Sequence, residues 1–356
     1  MDSHVLKIPT KIAEHDWPVG TRPVVSICCI TYNHEKFIAQ AIEGFLKQET
    51  TFPVEIYIHD DASTDATAGI IQSYQLCYPR LIKAVFQKEN QYSKGNSPFT
   101  RIFSLAKGDF ISYCEGDDYW TDPYKLERQV SYLLDHPQVV LCFHDVISVD
   151  PGSTELASSK INALMGSGQP MRLINYAMIS RALIPTLSIV FRNVPMMVGP
   201  KGQRVVNGDS YLFAMLSRYG EMHNMGVTMG AHRRHPGGIW TSLDSSGRTQ
   251  ALLKTLSAIA WEIDLGNCQV ASRNLGERSW LGFWNAVCLN SGAGSITYVR
   301  MYISSMFCCI RCLRLGWGKV PSIIMTEIRI IWIPFRFIVG SLIRNIKRIL
   351  GQQSFR

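Results

Sequence analysis

Short apolar runs alternate with segments of helical period through the first 150 residues, and this alternation limits the chain to a small set of folds. Between the first two runs, Phe37, Ala41 and Phe45 recur at a spacing of four, the period of a helix packed on one face. The runs themselves are uninterrupted, as expected for strands buried on both faces. Strands that alternate with helices through short connections predict an α/β fold with a mainly parallel sheet flanked by helices. The runs are residues 24–31, 54–58, 82–86, 110–114 and 139–144.

Paired acids come just after two of these runs. Asp60 and Asp61 follow the second run, and Asp117 and Asp118 follow the fourth. Because parallel strands end at one edge of a sheet, where α/β folds bind their ligands, we expect both pairs there. Adjacent carboxylates repel each other unless a cation neutralises them, so this edge predicts a divalent-metal site for a phosphate-bearing ligand. The alternative is a solvated acidic turn, since Gly-Asp-Asp is ordinary turn sequence.

The charge of the chain is concentrated at its C-terminal end. The 356 residues include 36 basic and 28 acidic side chains, a net charge of +8. From Ser295 onward there are ten Lys or Arg residues and one acid, Glu327, which leaves 26 basic and 27 acidic residues elsewhere. A nearly neutral body argues against nucleic acid as a partner. The ten cysteines show neither zinc-ligand nor disulfide spacing, and residues 1–17 lack the apolar core of a signal peptide, which favours a cytoplasmic location.

The C-terminal region is helical in pattern and ends in an apolar, basic segment. Residues 246–295 have the pattern of helices with a partly apolar face. Residues 323–343 are rich in Ile, Phe and Trp but contain Glu327, Arg329 and Arg336. Charges near the middle of such a span are costly in hydrocarbon, so the pattern favours an amphipathic element that lies peripherally on the inner face of the cell membrane. The alternative is a helical subdomain that packs on the body of the protein with a solvated basic face.

Three segments in combination identify a family. They read VSICCITYNHEKFIAQAI, VEIYIHDDASTDATAGII and GDFISYCEGDDYWTDPYKLERQV, in this order. This combination resembles the family 2 glycosyltransferases, which have the GT-A fold, over roughly residues 22–240. Together with the composition of the two ends, the resemblance predicts a polar lead-in at 1–21, a GT-A domain at 22–245 and a helical region with the membrane-associating tail at 246–356. It also implies a nucleotide-sugar donor and a divalent metal, Mg²⁺ or Mn²⁺.

The resemblance assigns the nucleotide to the ends of the first two strands. Thr31, Tyr32 and Asn33 would hold the base and ribose together with Asp61 and its neighbour Asp60. A carboxylate suits this role because it accepts charge-assisted hydrogen bonds from uracil N3–H or from a ribose hydroxyl. The alternative for Asp61 is a turn or cap contact that starts the following helix.

The resemblance assigns the metal and the diphosphate to two further segments. Asp118, with Asp117 beside it, would stand for the family's metal-binding Asp-x-Asp motif, from which Glu-Gly-Asp-Asp departs slightly. Residues 231–240 resemble a mobile acceptor-side segment, in which His235 would be a third metal ligand or a diphosphate contact; the alternative for His235 is a structural role. The resemblance also implies that the diphosphate is contacted by Asp117 and by Arg233 or Arg234. The hinge of a lid would be Gly237 and Gly238. A flat face for a sugar ring would come from Trp120 and Trp240, for which the alternative is a role in the core.

Asp209 is the candidate catalytic base. Residues 190–193 read as the last strand of the sheet, and Asp209 precedes a helix predicted over 211–218. In the family an acid at this place deprotonates the acceptor hydroxyl for in-line attack on the anomeric carbon, which inverts its configuration. The alternative is that Asp209 only caps the helix.

These expectations combine into one function and two alternatives. The sequence predicts an inverting, metal-dependent transferase that moves a hexose or N-acetylhexosamine from a nucleotide sugar, by family default a UDP-sugar, to a glycan or lipid-linked acceptor in cell-surface polysaccharide synthesis. A nucleotidyltransferase would have a Gly-rich basic loop where this chain has Thr31-Tyr32-Asn33. A catalytically silent scaffold with the same fold would not need its acids.

Overall fold

The computed structural model describes residues 8–156, 171–173, 183–195 and 204–262. By their internal contacts the residues divide into two units, Met1–Leu243 and Asp244–Arg356. The first unit holds the sheet, and in the second the described residues form one helix. The basic segment predicted to lie on a membrane falls outside the described residues. Within the described residues, no helix has the length and apolar character needed to cross a bilayer.

The described part of the chain contains eleven strands and seven α-helices. The strands are β1 (Thr10–Lys11), β2 (Val25–Thr31), β3 (Glu49–Thr50), β4 (Val54–Asp60), β5 (Ile82–Phe86), β6 (Phe110–Glu115), β7 (Tyr119–Trp120), β8 (Val139–Val149), β9 (Met171–Leu173), β10 (Val190–Arg192) and β11 (Glu221–Arg233). The helices are α1 (Ile38–Leu46), α2 (Thr67–Cys77), α3 (Pro98–Leu105), α4 (Lys125–Asp135), α5 (Gly208–Leu216), α6 (Ile239–Ser242) and α7 (Ser245–Glu262).

A nine-stranded mixed sheet organises the first unit. Its order is β5-β4-β2-β6-β10-β8-β11-β7, and β9 pairs with β11. The four strands β5, β4, β2 and β6 are parallel, as the strand–helix alternation predicts. The short strand β10 then runs antiparallel to both of its neighbours, β6 and β8. Hydrophobic periodicity reports burial and not strand direction, so the sequence does not predict this reversal.

The prediction that 190–193 is the last strand of the sheet is wrong, because β11 follows it. This strand pairs in parallel with β8 and has three register shifts, one of them between Asn224 and Thr228. Gly226 lies inside this interruption with φ of +68°. The irregular backbone breaks the apolar alternation that would signal a strand. Since β11 ends beside the end of β8, it brings Arg233 and the residues after it to the same edge of the sheet as the acids.

Both faces of β2 are buried, as its uninterrupted apolar run predicts. Cys29 belongs to a core cluster that also contains Ile38 and Phe45 of α1. On the opposite face, Cys28 Sγ lies 3.9 Å from the carbonyl oxygen of Ile102 in α3. Burial raises the pKa of both thiols well above the usual value, so they remain protonated and pack as small apolar groups.

A lysine lies in this core. Lys125, the first residue of α4, has no exposed surface. Its Nζ donates a hydrogen bond to Ser112 Oγ (3.1 Å) and lies 4.1 Å from the centre of the Trp120 ring. Burial lowers the pKa of Lys125 from 10.5 to about 7. The unfolded chain therefore binds more protons than the folded protein between these values, so the free energy of unfolding rises with pH across that range.

We expect Lys125→Met to stabilise the protein and to flatten this pH dependence. Methionine fills a similar volume without a charge to desolvate, so at pH 7 the free energy of unfolding should rise by about 1–4 kcal/mol. Chemical denaturation of the full chain, compared with wild type at about pH 7 and about pH 10, measures both effects. Lys36→Met, at an exposed position, should change neither. A loss of stability in Lys125→Met at pH 7 would show that the ammonium group stabilises the fold.

Candidate active site

The carboxyl ends of five strands meet at one edge of the sheet. Thr31 at the end of β2 pairs with Asp60 of β4, and Ile30 pairs with Glu115 of β6. On the far side of the sheet, Arg233 of β11 pairs with Val149 of β8. The two acid pairs therefore lie at the same edge, as the sequence predicts, and the strand order places them on either side of β2.

The corner after β2 is tied to the loop after β4. Asn33 has a left-handed backbone (φ of +54°), and its Oδ1 accepts a hydrogen bond from the Thr64 amide (2.8 Å). The Asn33 amide donates to Ser63 Oγ (2.9 Å), and Ser63 in turn donates to the carboxylate of Asp60 from its amide (3.2 Å) and its hydroxyl. Tyr32, which precedes Asn33 in the chain, is 42% exposed. Of the three predicted nucleotide-binding corner residues, Thr31 is buried, whereas Tyr32 and Asn33 are exposed.

Asp61 holds the loop that follows β5. Its two carboxylate oxygens accept hydrogen bonds from the amides of Gln91 (2.8 Å) and Tyr92 (3.0 Å), and His59 Nε2 lies 3.6 Å away. Burial alone would raise the pKa of Asp61, but the nearby His59 and the hydrogen bonds from Tyr92 and Gln91 bring it below the usual value. Asp61 therefore stays ionised and orders the loop, whether or not it also contacts a nucleotide.

Asp117 lies between two histidines. Its Oδ2 is 2.9 Å from His235 Nε2 and 3.8 Å from His34 Nε2. One ligand atom from each of the three side chains lies within 4.8 Å of the other two. Burial would raise the pKa of Asp117, but the hydrogen bond from His235 and the charge of His34 lower it. An ionised carboxylate beside two imidazoles is a donor set that fits a divalent metal ion.

Asp118 points elsewhere. Only 3% of the residue is exposed, and its Oδ1 accepts a hydrogen bond from the Arg233 amide (2.7 Å). Burial, with the charges of Asp117 and Glu115, raises the pKa of Asp118 well above the usual value. The sequence predicted Asp118 as the metal ligand with Asp117 beside it. The structure instead groups Asp117 with the histidines and turns Asp118 toward the protein.

Gly116 lets this acidic turn lie against β2. A Cβ at Gly116 would lie 2.6 Å from Thr31 Oγ1 and 3.0 Å from Ile38 Cδ1. We expect Gly116→Ala to displace the turn, to lower the free energy of unfolding by about 1–3 kcal/mol and to weaken metal binding at Asp117. Gly69→Ala is the matched control, because a Cβ at Gly69 has no atom within 4 Å. Metal titration and denaturation of both variants test this, and unchanged metal binding in Gly116→Ala would contradict it.

Arg233 holds the acidic turn after β6 in place through hydrogen bonds. Its guanidinium is stacked against the rings of Phe37 (4.7 Å) and Tyr119 (5.3 Å), and the residue is 3% exposed. The next residue, Arg234, is half-buried, and its amide donates to Val149 O (2.8 Å). A diphosphate role for Arg233 would require several bonds to break. The guanidinium donates to the carbonyl oxygens of Asp117 (2.9 Å), Asp150 (3.1 Å) and Pro151 (2.9 Å), to Ser153 Oγ (3.1 Å) and to Gln40 Oε1 (2.6 Å).

Asp209 lies in the first turn of α5, which begins three residues earlier than predicted. The cap position is occupied by Asn207, and Asp209 Oδ1 accepts a hydrogen bond from the Ser210 amide (2.7 Å). Burial raises the pKa of Asp209 above its usual value. Burial and the charges of Asp117 and Asp209 raise the pKa of Glu115 to about 8. Asp209 is therefore electrostatically coupled to the acidic turn, although almost a hundred residues separate them in the sequence.

The predicted acceptor-side residues have different surroundings. Trp120 is 4% exposed, donates from its indole N–H to Leu187 O (2.9 Å) and packs edge-on against Phe45, which is the core role that the sequence left open. Gly237 and Gly238 lie between β11 and α6, where Thr241 Oγ1 donates to the carbonyl oxygens of His235 (2.9 Å) and Gly238 (2.8 Å). The side chain of Trp240 lies outside the described part of the structure.

Sequence reasoning missed two members of this site, His34 and Glu115. His34 directly follows the Thr31-Tyr32-Asn33 corner, and Glu115 ends β6. Both would have been found by extending each predicted strand end by one to three residues. Neither residue type in isolation signals a site.

Comparison with known proteins relates part of the first unit to a protein family. The model of the family described as Glycosyl transferase family 2 matches residues 26–193. Residues 26–193, slightly less than half of the chain, are therefore similar to the family 2 glycosyltransferases. The match includes the β2 corner, both acid pairs and His34, whereas Asp209 and the segment at 231–240 lie beyond it.

Relatives of the family 2 domain include bacterial proteins. Uncharacterized protein Rv1520 of Mycobacterium tuberculosis is 39% identical over 219 residues, which are 61% of this chain and 61% of the relative. The chain thus spans less than two thirds of that relative's length. An uncharacterized glycosyltransferase of Nostoc, alr2836, is 32% identical over 137 residues, which are 38% of this chain and 41% of the relative.

A solved structure supports the fold of the family 2 domain. The crystal structure of S. aureus TarS in complex with UDP has a TM-score of 0.57 to this chain, at 16% identity and with 80% of each chain covered. The likeness shows that the α/β fold is the GT-A fold of glycosyltransferases.

Proposed function

We propose that the protein is an inverting, metal-dependent glycosyltransferase that uses a nucleotide-sugar donor. The observation that carries this proposal is Asp117, held between His34 and His235 at the carboxyl edge of a family 2 domain. The family supports sugar transfer, and the UDP in the TarS structure supports a UDP-sugar as the donor. The transferred sugar, by the sequence prediction, is a hexose or an N-acetylhexosamine.

The donor would lie along the carboxyl edge of β2, β4 and β6. Tyr32 offers an exposed ring to the base, and the Asn33 corner and the Asp61-held loop border this position. Asp117 and His235 would hold a divalent ion, Mg²⁺ or Mn²⁺ by family expectation, whose charge would stabilise the diphosphate as it leaves. Arg234 is the better placed of the two predicted arginines for a diphosphate contact, because Arg233 is bonded to protein oxygens.

Asp209 would take the proton of the acceptor hydroxyl. Burial raises its pKa toward neutrality, which makes its carboxylate a stronger proton acceptor than an ordinary aspartate. In-line attack by the deprotonated hydroxyl on the anomeric carbon, on the face opposite the diphosphate, would invert the configuration there. The acceptor is proposed to be a glycan or a lipid-linked glycan of cell-surface polysaccharide synthesis. The support is the basic, apolar tail at 323–343, which suits the cytoplasmic face of the membrane.

The test is a panel of nucleotide sugars assayed for binding and turnover by the full chain, with and without Mn²⁺. We expect metal-dependent binding of one donor, most strongly a UDP-sugar. Asp135→Asn, an exposed acid at the end of α4, serves as the control and should behave as wild type. If folded protein binds no nucleotide sugar with any metal, the transferase proposal fails, and a catalytically silent scaffold of the same fold becomes the explanation.

A further inference from the structure

The group formed by His34, Asp117 and His235 is rich in nitrogen. It offers two imidazoles and one carboxylate, with the three ligand atoms within 4.8 Å of one another. Each side chain comes from a different element: the corner between β2 and α1, the turn after β6 and the segment after β11. A nitrogen-rich set is unusual for Mg²⁺, which prefers oxygen ligands and keeps several waters.

We infer that this site selects a first-row transition-metal ion over Mg²⁺, and that His34 is the ligand that completes it. Imidazole suits Zn²⁺ and similar first-row ions, and affinities for a given nitrogen and oxygen site rise from Mn²⁺ through Co²⁺ to Cu²⁺. The inference rests on the proposed function for the metal's role in donor binding. It departs from that proposal in naming the class of ion and in adding a third protein ligand.

The two histidine side chains of this site are held in place by surrounding contacts. The side chains of His34 and His235 are 14% and 10% exposed, and the Phe37 ring packs against both, with centroids 6.3 Å and 5.0 Å away. The amide of His34 donates to Thr67 Oγ1 (2.9 Å), which fixes the corner that carries it. Preplaced ligands lose little freedom when an ion binds, which favours affinity over adaptability.

An ion in this site would also join separate parts of the chain. His235 is followed by Gly237 and Gly238, the predicted hinge of the lid. A bond from the metal to His235 would fix the start of that segment against the acidic turn. Metal occupancy and the position of the segment are therefore coupled through one imidazole.

The test is a spectroscopic titration of the full chain with Co²⁺, alone and with UDP present. We expect Co²⁺ to bind with visible absorption bands, Zn²⁺ to displace it, and a large excess of Mg²⁺ to leave it bound. His34→Gln and His235→Gln should each weaken Co²⁺ binding by roughly tenfold or more. His223→Gln is the control, because His223 lies at the opposite end of β11 and stacks on Tyr132.

Several outcomes overturn the inference. They are no Co²⁺ binding under either condition, displacement by Mg²⁺ as readily as by Zn²⁺, or wild-type affinity in folded His34→Gln. The fold of each variant is checked by circular dichroism, and the two histidine variants are compared so that misfolding of one is not mistaken for ligand loss. Donor binding with Mg²⁺ alone would support the proposed function and overturn this inference. Binding of Co²⁺ by His34, Asp117 and His235 without any nucleotide-sugar binding would support this inference and overturn the proposed function.

Discussion

Asp117→Asn is expected to lower sugar transfer by about a thousandfold while the protein stays folded. The substitution keeps the shape of the side chain but removes the charge that lies between His34 and His235. A metal ion contributes several kcal/mol to stabilising a diphosphate leaving group, which corresponds to a loss of this size. Turnover with the preferred donor at saturating metal, together with metal affinity from titration, measures both parts of the expectation.

Asp118→Asn is the matched comparison for this experiment. Burial raises the pKa of Asp118 well above its usual value, and asparagine keeps an acceptor oxygen for the Arg233 amide. We expect this variant to keep turnover within a few-fold of wild type. If Asp118→Asn instead loses as much activity as Asp117→Asn, the metal ligand is Asp118, as the sequence pattern first indicated.

Asp209→Asn is expected to lower turnover by about a hundredfold to ten-thousandfold without weakening donor binding, because a general base contributes that much to the chemical step. In wild type, activity should rise with pH as Asp209 loses its proton. Burial raises that pKa, so the acidic limb of the profile should lie at a higher pH than for an exposed aspartate. The measurements are the donor KM, kcat and their pH profile.

The pH profile of turnover in Asp209→Asn separates a role as catalytic base from a structural role. Loss of the acidic limb together with the loss of turnover identifies the base, whereas a structural role would lower activity at all pH values alike. Asp135→Asn again provides the control for removing an acid without consequence. Full activity in folded Asp209→Asn would rule this residue out, and Glu115, which is coupled to it electrostatically, would be the next residue to replace.

The sequence by itself determined the parallel half of the sheet and the place of the acids. Strand β5 begins and ends where the pattern predicts, and β2, β4 and β6 differ by no more than two residues. Apolar periodicity reports burial, and buried parallel strands must end at one edge, so the position of Asp60 and Asp117 follows from local pattern alone. The resemblance of the same segments to the family 2 glycosyltransferases agrees with the family match.

Only the tertiary structure decided which side chains face the site. Asp117 and Asp118 are adjacent, yet one meets His34 and His235 and the other bonds to the Arg233 amide, because β11 arrives from more than a hundred residues away. The sequence pattern did not predict strand β11, because its pairing with β8 contains register shifts. Side-chain direction in a turn depends on the contacts that surround it, and those contacts come from segments that no local spacing connects.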